Sequence, residues 1–338
     1  MKRFCLYPFN RAHLSVNGNV YVCCAAWLKK PLGNFFRDSF ENIWNSETAI
    51  EIRKSILDES FRFCNKNICP RIISGLIEKE AIPERLKHVP EEKKLRLENG
   101  PEHLSLNYDY SCNLYCRSCR KQRRVMDHES SGKLIQFQDS LLKSELFKNA
   151  RRLTVTGTGE PFASRVYMDL FNKIDQSVTP DLKITLRTNG NLLTPGNWER
   201  IKNSHFAIDA ISISMDAATA KTYKILRRGG DFKKLLANLK FLEKLKKKKE
   251  LTVELNFVVQ KQNFKEMPKF LKLAKKYNCN RVVYTQLMNM GTYSLEEYKD
   301  LSVHKPGHPQ FEELKKIINK PIFKDPMVSF NNLSHLID

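Results

Sequence analysis

The chain contains nine cysteines, and all but Cys279 lie between Cys5 and Cys119. Three of them form the pattern Cys112-x3-Cys116-x2-Cys119, which is short enough for the three thiolates to reach one metal centre. A four-iron cluster that is held by three cysteines keeps one iron without a protein ligand. An open coordination position is typical of a catalytic metal site. The pattern therefore predicts a reactive iron–sulfur cluster, and a zinc site completed by His128 or Cys279 is the alternative.

Two glycine-containing motifs follow predicted strands downstream of these cysteines. In Thr156-Gly-Thr-Gly-Glu-Pro161, glycines let a backbone approach a ligand closely, and the carboxylate of Glu160 can accept a hydrogen bond from an ammonium group. Read alone, this run is equally well a turn before a helix. The run Arg187-Thr-Asn-Gly190 is by itself only a turn signal.

A third polar motif follows the next predicted strand. It provides a hydroxyl, a carboxylate and a guanidinium, which together suit a ribose and a carboxylate. These groups belong to Ser214, Asp216 and Arg227, with Arg228 as the alternative arginine.

From residue 103 onward, short β-type runs alternate with amphipathic stretches. The predicted strands are His103–Asp109, Arg152–Thr156, Leu182–Thr188, Ile208–Met215, Leu251–Val259 and Arg281–Leu287. Helical patterns lie near Ser140–Asn149, Arg165–Gln176, Trp198–Ser204, Phe232–Lys247 and Phe264–Tyr277. This alternation predicts an α/β fold with a parallel sheet, closed into a partial (β/α)6 barrel. The motifs above fall at the carboxyl ends of strands, where such sheets place their functional residues.

The chain divides by composition into four segments. Residues 1–75 hold five cysteines and little periodicity, which predicts a small module held together by more than its own core. Residues 76–102 are charged and interrupted by prolines, as in a linker. The barrel is expected over 103–300, and 301–338 is expected to be a tail with one helix near Phe311–Asn319.

The segment from about His103 to Gly291 resembles the radical S-adenosylmethionine (radical SAM) superfamily. The resemblance rests on the three-cysteine pattern at the end of the first barrel strand and on the motifs that follow. It implies that Cys112, Cys116 and Cys119 hold a [4Fe–4S] cluster whose open iron binds SAM. Reductive cleavage of SAM then gives a 5′-deoxyadenosyl radical that abstracts a hydrogen atom from substrate. The SAM-binding residues implied by the match are Gly157, Gly159, Glu160, Thr188, Asn189, Ser214, Asp216 and Arg227.

The N-terminal cysteines have a spacing of their own. Cys5-x12-Gly18-x4-Cys23 is followed by Leu32-Gly-Asn-Phe35, Ile43-Trp-Asn-Ser46 and Cys64-x4-Cys69. Four cysteines in two pairs can close a zinc site or a fully ligated iron–sulfur cluster, and spacing alone does not choose between them. The pattern resembles the auxiliary-cluster modules called SPASM and twitch domains, although those modules usually follow the radical SAM core.

This second resemblance implies one auxiliary [4Fe–4S] cluster, held by Cys5, Cys23, Cys64 and Cys69, and therefore two clusters in all. Because four cysteines would each bind one iron, this cluster would have no open iron. A closed cluster of this kind suits electron transfer. We expect Cys24 to be a spare buried residue. Cys279, at the amino end of its predicted strand, is expected to pack in the core rather than to return a hydrogen atom to a substrate radical.

The charge and the composition of the chain limit its expected cellular location and its expected binding partners. The hydrophobic fraction of 41% and the charged fraction of 28% are those of a soluble globular protein. No apolar run is long enough to cross a bilayer and no export signal is visible, so we expect a cytoplasmic protein. The net charge of +21 could attract nucleic acid, anionic metabolites or an acidic protein such as a flavodoxin- or ferredoxin-type reductant. The lysine run Lys246–Lys249 is more simply a solvated helix end.

Three functions remain open on the sequence. The first is hydrogen abstraction from a ribosomally made peptide, which gives a cross-link, an oxidation or an epimer. The second is dehydrogenation or epimerisation of a sugar or amino-sugar. The third, from a different class, is nucleic-acid binding by a zinc-stabilised protein.

Overall fold

The computed structural model describes residues 3–79 and 95–337, so most of the predicted linker lies outside the described residues. One sheet of ten strands runs through the described part, in the order β10-β9-β8-β7-β6-β5-β4-β1-β2-β3. The strands are β1 (Arg11–Ser15), β2 (Asn19–Tyr21), β3 (Gly33–Asn34), β4 (His103–Asn107), β5 (Arg152–Val155), β6 (Lys183–Thr188), β7 (Ile208–Ser214), β8 (Thr252–Val259), β9 (Arg281–Gln286) and β10 (Val328–Ser329).

Helices cover the outer face of this sheet and build much of the N-terminal module. The α-helices are α1 (Tyr7–Asn10), α2 (Phe40–Trp44), α3 (Glu47–Leu57), α4 (Pro70–Ile73), α5 (Leu76–Lys79), α6 (His128–Lys143), α7 (Glu145–Lys148), α8 (Arg165–Lys173), α9 (Pro195–Glu199), α10 (Ala220–Leu226), α11 (Phe232–Lys246), α12 (Met267–Lys276), α13 (Leu295–Leu301) and α14 (Phe311–Ile318). Short 3₁₀ turns cover Pro161–Ala163, Lys202–Ser204, Phe264–Glu266, Pro321–Lys324 and Asn331–Leu336.

The six predicted barrel strands are confirmed as β4 to β9, and each pairs in parallel with its neighbour. The fold is thus mixed α/β with a largely parallel sheet, as expected for a partial (β/α)6 barrel with an N-terminal module. Helix α6 begins twelve residues earlier than the predicted helical pattern at Ser140. Its first turn is capped by Asp127, whose carboxylate accepts from the Ser130 amide (2.8 Å).

Side chains alternate along the strands between an apolar outer face and a polar inner face. On β4, Leu104 and Leu106 are fully buried under the helices. Residues between them point to the other face, where they bond across strands rather than to helices. The inner-face contacts are Arg11 Nη2 to Ser105 Oγ (2.9 Å), His103 Nε2 to Thr154 Oγ1 (2.8 Å), Arg152 Nη1 to Thr185 Oγ1 (3.2 Å) and Ser212 Oγ to Glu254 Oε1 (2.9 Å). The lumen of the barrel is therefore polar.

The N-terminal module extends the barrel sheet. Strand β1 pairs in parallel with β4 over five residues, from Arg11 opposite His103 to Ser15 opposite Asn107. Strands β2 and β3 continue the sheet in antiparallel orientation. Apolar side chains of the module, among them Leu14, Phe35 and Ile52, belong to the same buried cluster as the barrel residues. The module thus has a small apolar cluster of its own, formed by Phe4, Phe9, Ile56, Phe61 and Ile77, and shares the rest of its core with the barrel.

Arg53 organises the interior of this module. Its side chain is fully buried, and its guanidinium donates to the carbonyls of Pro8 (2.9 Å), Trp44 (2.7 Å) and Leu95 (2.7 Å). It also lies over the Trp44 ring, 4.6 Å from the ring centroid. Burial lowers the pKa of Arg53 to about 9. The contact with Leu95 joins α3 to the segment that leads into the barrel.

The C-terminal residues also join the sheet. Strand β10 pairs with β9, and the helix predicted near Phe311–Asn319 is present as α14. Among residues 3–79 and 95–337, no helix combines the length and the apolar character that a membrane crossing requires.

Candidate active site

The loop of Cys112, Cys116 and Cys119 closes over the carboxyl end of β4. An antiparallel bridge between Cys112 and Arg124 joins its two ends, with the Cys112 amide 2.9 Å from the Arg124 carbonyl. The Cys119 amide donates to the Cys116 carbonyl (2.9 Å), which turns the chain between these two cysteines. Cys112 and Cys116 are buried, whereas Cys119 is exposed, and all three thiols are free.

Nitrogen donors are directed at each of the three sulfurs. Two of the donors are guanidinium groups, which favour a thiolate over a thiol. The N–H···S contacts are Leu114 N to Cys112 Sγ (3.4 Å), Asn189 Nδ2 to Cys112 Sγ (3.9 Å), Arg227 Nη1 to Cys116 Sγ (3.4 Å) and Arg120 Nε to Cys119 Sγ (3.4 Å). Burial raises the pKa of Cys112 to about 11. Donors of this kind fit the sulfur ligands of an iron–sulfur cluster, which accept hydrogen bonds from their surroundings.

Within residues 3–79 and 95–337, no three His, Cys, Asp or Glu side chains are placed to hold one metal ion. In a four-iron cluster each thiolate binds its own iron, so the ligands need not converge on a single point. Cys279 stands at the amino end of β9, the end of the sheet away from the cysteine loop. It is therefore on the wrong side to complete a zinc site with that loop.

The glycine-rich run packs directly on the backbone of the cysteine loop. A Cβ atom on Gly159 would stand 2.6 Å from the Asp109 carbonyl oxygen and 2.8 Å from that of Ser111, so only glycine fits there. The next amide, of Glu160, donates to the Ser111 carbonyl (2.7 Å). Thr156 adopts a left-handed conformation (φ 56°) that is rare for a β-branched residue, and it turns the chain toward this contact.

Three predicted SAM-binding residues form one network around Glu160. The carboxylate is fully buried and accepts from the Thr188 hydroxyl (2.7 Å) and from the Asn189 amide (2.7 Å). Burial raises the pKa of Glu160 to about 7. Asn189 also donates to Asn113 in the cysteine loop (2.8 Å). The glycine-rich run, the end of β6 and the cysteine loop are thus joined at one place.

Asp216 and Arg227 lie against each other at the end of β7. Arg227 Nε stands 3.0 Å from Asp216 Oδ2, and the two side chains are 11% and 5% exposed. The other oxygen of Asp216 accepts from the Val258 amide on β8 (2.8 Å). Asp216 therefore positions Arg227 beside Cys116, and its predicted contact with a ribose stays a prediction. Ser214, two residues before Asp216, ends β7 on the inner face.

Arg120 is a site residue that sequence reasoning missed. Its guanidinium donates to the carbonyls of Tyr110 (2.6 Å) and Thr158 and to Cys119, so it ties the cysteine loop to the glycine-rich run. Its position directly after Cys119 was the available signal, because a cation beside a thiolate stabilises it. Asp109 is a second such residue. It is fully buried and accepts from the Ser111 amide (2.7 Å) and the Ser164 hydroxyl (2.5 Å).

The N-terminal cysteines gather at the other end of the barrel. Burial raises the pKa of Cys23, and the neighbouring Cys5, Cys64, Cys69 and Cys24 raise it further. The structure thus brings together the four predicted ligands and also Cys24. Strand β2 runs antiparallel to β1, so Cys23 lies toward the amino ends of β1 and β4. The cysteine loop follows the carboxyl end of β4, so the two sets lie toward opposite ends of these strands.

Family comparisons agree with this arrangement. Residues 107–274 match the model described as "Radical SAM superfamily", and residues 5–70 match the SPASM model, "Iron-sulfur cluster-binding domain". The matched ranges contain both sets of cysteines. A zinc-stabilised nucleic-acid binder is not supported by these matches.

Among curated proteins, the chain is 26% identical over 182 residues to the "AdoMet-dependent heme synthase" of Methanosarcina barkeri. The matched segment covers 54% of this chain and 49% of that protein. The chain is also 26% identical over 204 residues to the "Probable GTP 3′,8-cyclase" of Saccharolobus islandicus, covering 59% and 62%. The chain thus spans about half to two thirds of the length of these relatives.

Among solved structures, Streptococcus suis SuiB matches with a TM-score of 0.48 and 15% identity, covering 88% of this chain and 63% of SuiB. By its two family matches, which lie on the cysteine loop and on the N-terminal cysteines, the chain belongs to the radical SAM superfamily and carries an N-terminal SPASM iron–sulfur domain.

Proposed function

We propose that this radical SAM enzyme abstracts a hydrogen atom from a ribosomally made peptide and leaves a cross-link, an oxidised residue or an epimer. Cys112, Cys116 and Cys119 would hold the [4Fe–4S] cluster that binds SAM. When bound, that cluster supplies the electron that cleaves SAM to methionine and a 5′-deoxyadenosyl radical. Glu160 would accept from the amino group of SAM, and Arg227 would face its carboxylate from beside Cys116.

The second cysteine set would hold a closed auxiliary cluster. Cys5, Cys23, Cys64 and Cys69 supply four thiolates, so no iron is left open for substrate. Their place toward the amino ends of β1 and β4 suits a group that accepts the electron left on substrate after hydrogen abstraction. The excess of positive charge favours an acidic flavodoxin- or ferredoxin-type protein as the reductant.

One observation favours a peptide over a small sugar. A groove of about 920 Å³ runs between the N-terminal module and α6. Its walls combine aromatic and aliphatic side chains with polar ones such as Asp38, Lys133 and Gln136, a mixture that suits a peptide with side chains of both kinds. The aromatic side chains are Phe35, Phe36, Phe40, Tyr110 and Phe137. Tyr110 and Met126, which stand on either side of the three cysteines, line it as well, so a chain lying there would lead to the candidate site.

A peptide-display selection against the reconstituted enzyme tests this proposal. We expect the selected peptides to bind wild-type protein and to lose about tenfold or more in affinity with Phe36→Asp, because a charge would replace an aromatic wall of the groove. Val178→Asp is the matched control, since Val178 is 48% exposed elsewhere and Phe36 is 50% exposed. Its affinity for the peptides should equal that of wild type.

Turnover provides the second part of the test. With SAM and dithionite, a selected peptide should raise the rate of 5′-deoxyadenosine formation and should change in mass. Cys116→Ala should form no 5′-deoxyadenosine at all. A rate that responds to hexoses or amino-sugars but to no selected peptide would overturn the peptide assignment in favour of a sugar substrate.

A further inference from the structure

Arg187 lies on the inner face of the barrel beside the predicted SAM-binding residues. On β6, Ile184 and Leu186 are buried under the helices, whereas Arg187 points to the lumen, where solvent still reaches part of its side chain. Its Nη1 atom stands 3.8 Å from the place of a Cβ on Gly157, in the glycine-rich run. The guanidinium is therefore next to the region where the reacting part of a substrate would lie.

Among the residues that the structure describes, Arg187 makes no hydrogen bond and no ion pair. A guanidinium has five N–H donors in a planar fork, and those of Arg187 are left to solvent and to any ligand that enters the lumen. Arg152 shows the usual arrangement. It lies on the same face of the adjacent strand β5 and pairs with Asp209, Nη2 to Oδ2 3.3 Å. Arg187 has no such carboxylate.

Arg11 on β1 faces the same space. It donates to Ser105 (2.9 Å) and lies over the Tyr7 ring at 4.7 Å, but its buried Nε has no hydrogen-bond partner within residues 3–79 and 95–337. The protein atoms that line the lumen around Arg187 shield it in part from water and lower its pKa, and the charge of Arg11 lowers it further. Two strands separate β1 from β6 in the sheet, and both arginines lie on the inner face of the barrel, so the two guanidinium groups face the same lumen.

The surrounding groups leave this positive charge in place. Burial lowers the pKa of His13 to about 4 and that of His103 to about 3, so both rings are neutral near pH 7. Glu254 is the one carboxylate among the neighbours that act most strongly on Arg187, and it is shared with Ser212 and Arg281. Holding two like charges in a lumen costs stability unless an anion joins them.

We propose that Arg187, assisted by Arg11, binds a carboxylate of the substrate inside the barrel. This inference rests on the proposed function and names the group that the enzyme recognises. Arg227 already serves the SAM side of the site, which leaves Arg187 for substrate. The planar fork of a guanidinium matches a carboxylate through two parallel hydrogen bonds. On a peptide the carboxylate is an Asp or Glu side chain or the C-terminus, and the same chemistry is present in a small dicarboxylate.

Chemical modification tests the site without turnover. Phenylglyoxal, read by peptide mass spectrometry, should modify Arg187 in the reconstituted protein, and succinate should slow that reaction, whereas succinamide should not. Arg152 serves as the internal control, because its paired guanidinium should react slowly with or without succinate. Equal protection by succinate and succinamide, or protection by inorganic phosphate alone, would overturn the assignment of a carboxylate site.

Binding then separates the two sources of the carboxylate. A display-selected peptide that contains Asp or Glu is compared with the same peptide carrying Asn or Gln, and succinate is measured in parallel by calorimetry. Arg187→Gln should weaken binding of the acidic ligand about tenfold or more and leave the amide peptide unchanged, which is the loss expected for a charged hydrogen bond. Arg152→Gln should change neither.

The two proposals fail in different ways. If acidic and amide peptides bind wild-type protein equally, the carboxylate inference is wrong while the peptide proposal stands. If no peptide binds but succinate does so through Arg187, the carboxylate site stands and the substrate is a small acid instead of a peptide. If neither binds, both are wrong.

Discussion

Glu160 and Asp216 are both buried carboxylates at the candidate site, but their partners differ in kind. Asp216 has a cation, Arg227, at 3.0 Å, so its charge is balanced within the protein. Glu160 accepts hydrogen bonds only from neutral groups, which are the Thr188 hydroxyl and the backbone amides of Asn189 and Phe162. Among the described residues Glu160 forms no ion pair, although Arg227 is near enough to lower its pKa, and an ammonium group of a ligand would supply a direct partner.

Replacing Glu160 with Gln should make this difference measurable. Burial raises the pKa of Glu160 to about 7, above its ordinary value of 4.5. The folded state therefore prefers the protonated acid, and stability is lost as the pH rises from below 4.5 through 7. Gln has no proton to lose. We expect the stability of Glu160→Gln relative to wild type to rise between pH 5 and pH 8, by at most about 3 kcal/mol, in denaturant unfolding without SAM.

The affinity of Glu160→Gln for SAM should fall, whereas its stability relative to wild type rises. Gln cannot offer a charged acceptor to an ammonium group, so affinity for SAM should fall by about 1.5–3 kcal/mol in equilibrium dialysis. Iron content should match wild type, and Glu199→Gln, on an exposed residue of α9, should alter neither property. Loss of iron together with SAM binding would assign Glu160 a purely structural role.

At the scale of elements, α3 and its neighbours depend on one buried arginine. Arg53→Ala would remove donors from three buried carbonyl oxygens and leave a cavity beside Trp44. We expect a loss of about 3 kcal/mol or more in the free energy of unfolding. Lys54→Ala, at the exposed neighbouring position, should stay within about 0.5 kcal/mol of wild type. Thermal unfolding of both variants checks the prediction, and equal midpoints would contradict it.

The barrel strands could be predicted from sequence because each is a short apolar run with a clear boundary. Helix α6 could be predicted only from Ser140 onward, since its first turns (His128 to Lys133) are polar and contain Ser and Gly. The pairing of β1 with β4 could not be predicted. The two strands are about ninety residues apart, and nothing in either segment specifies a partner at that distance.

Some residues of the candidate site could likewise be predicted from the sequence, and others could not. Cysteines and glycines have characteristic spacings, so Cys112, Gly159 and their neighbours could be found by pattern. Single arginines have no characteristic spacing: the only sequence signal for Arg120 is its place directly after Cys119, and Arg187 becomes recognisable only when the strand ends meet in space. The pairing of Asp216 with Arg227 needed the structure for the same reason.

At the scale of the whole molecule, iron content tests the two-cluster proposal. Replacing Cys5, Cys23, Cys64 and Cys69 together with Ala should lower bound iron from about eight atoms per chain to about four, one four-iron cluster. Because the module shares its sheet and core with the barrel, circular dichroism should show most of the secondary structure retained. SAM cleavage without substrate should persist, and turnover of a peptide substrate should fall much further.

Cys24→Ala is the control for this experiment, since Cys24 lies in the same group but is not a predicted ligand. It should keep about eight irons. Wild-type protein with about four irons, and zinc in place of the rest, would overturn the proposed electron-transfer role. Such a result would not affect membership of the radical SAM superfamily.

The two outermost strands of the sheet, β3 and β10, are each only two residues long. A long outer strand presents unpaired backbone N–H and C=O groups, to which another chain can add itself as a further strand. Within residues 3–79 and 95–337, the sheet ends on both sides without such a template. A peptide substrate would then gain little from backbone pairing, and the enzyme would have to select it by side chains. An enzyme that selects by a few side chains tolerates variation in the rest of the peptide. Peptides of unrelated sequence should therefore compete for this enzyme if they share one suitably placed acidic residue.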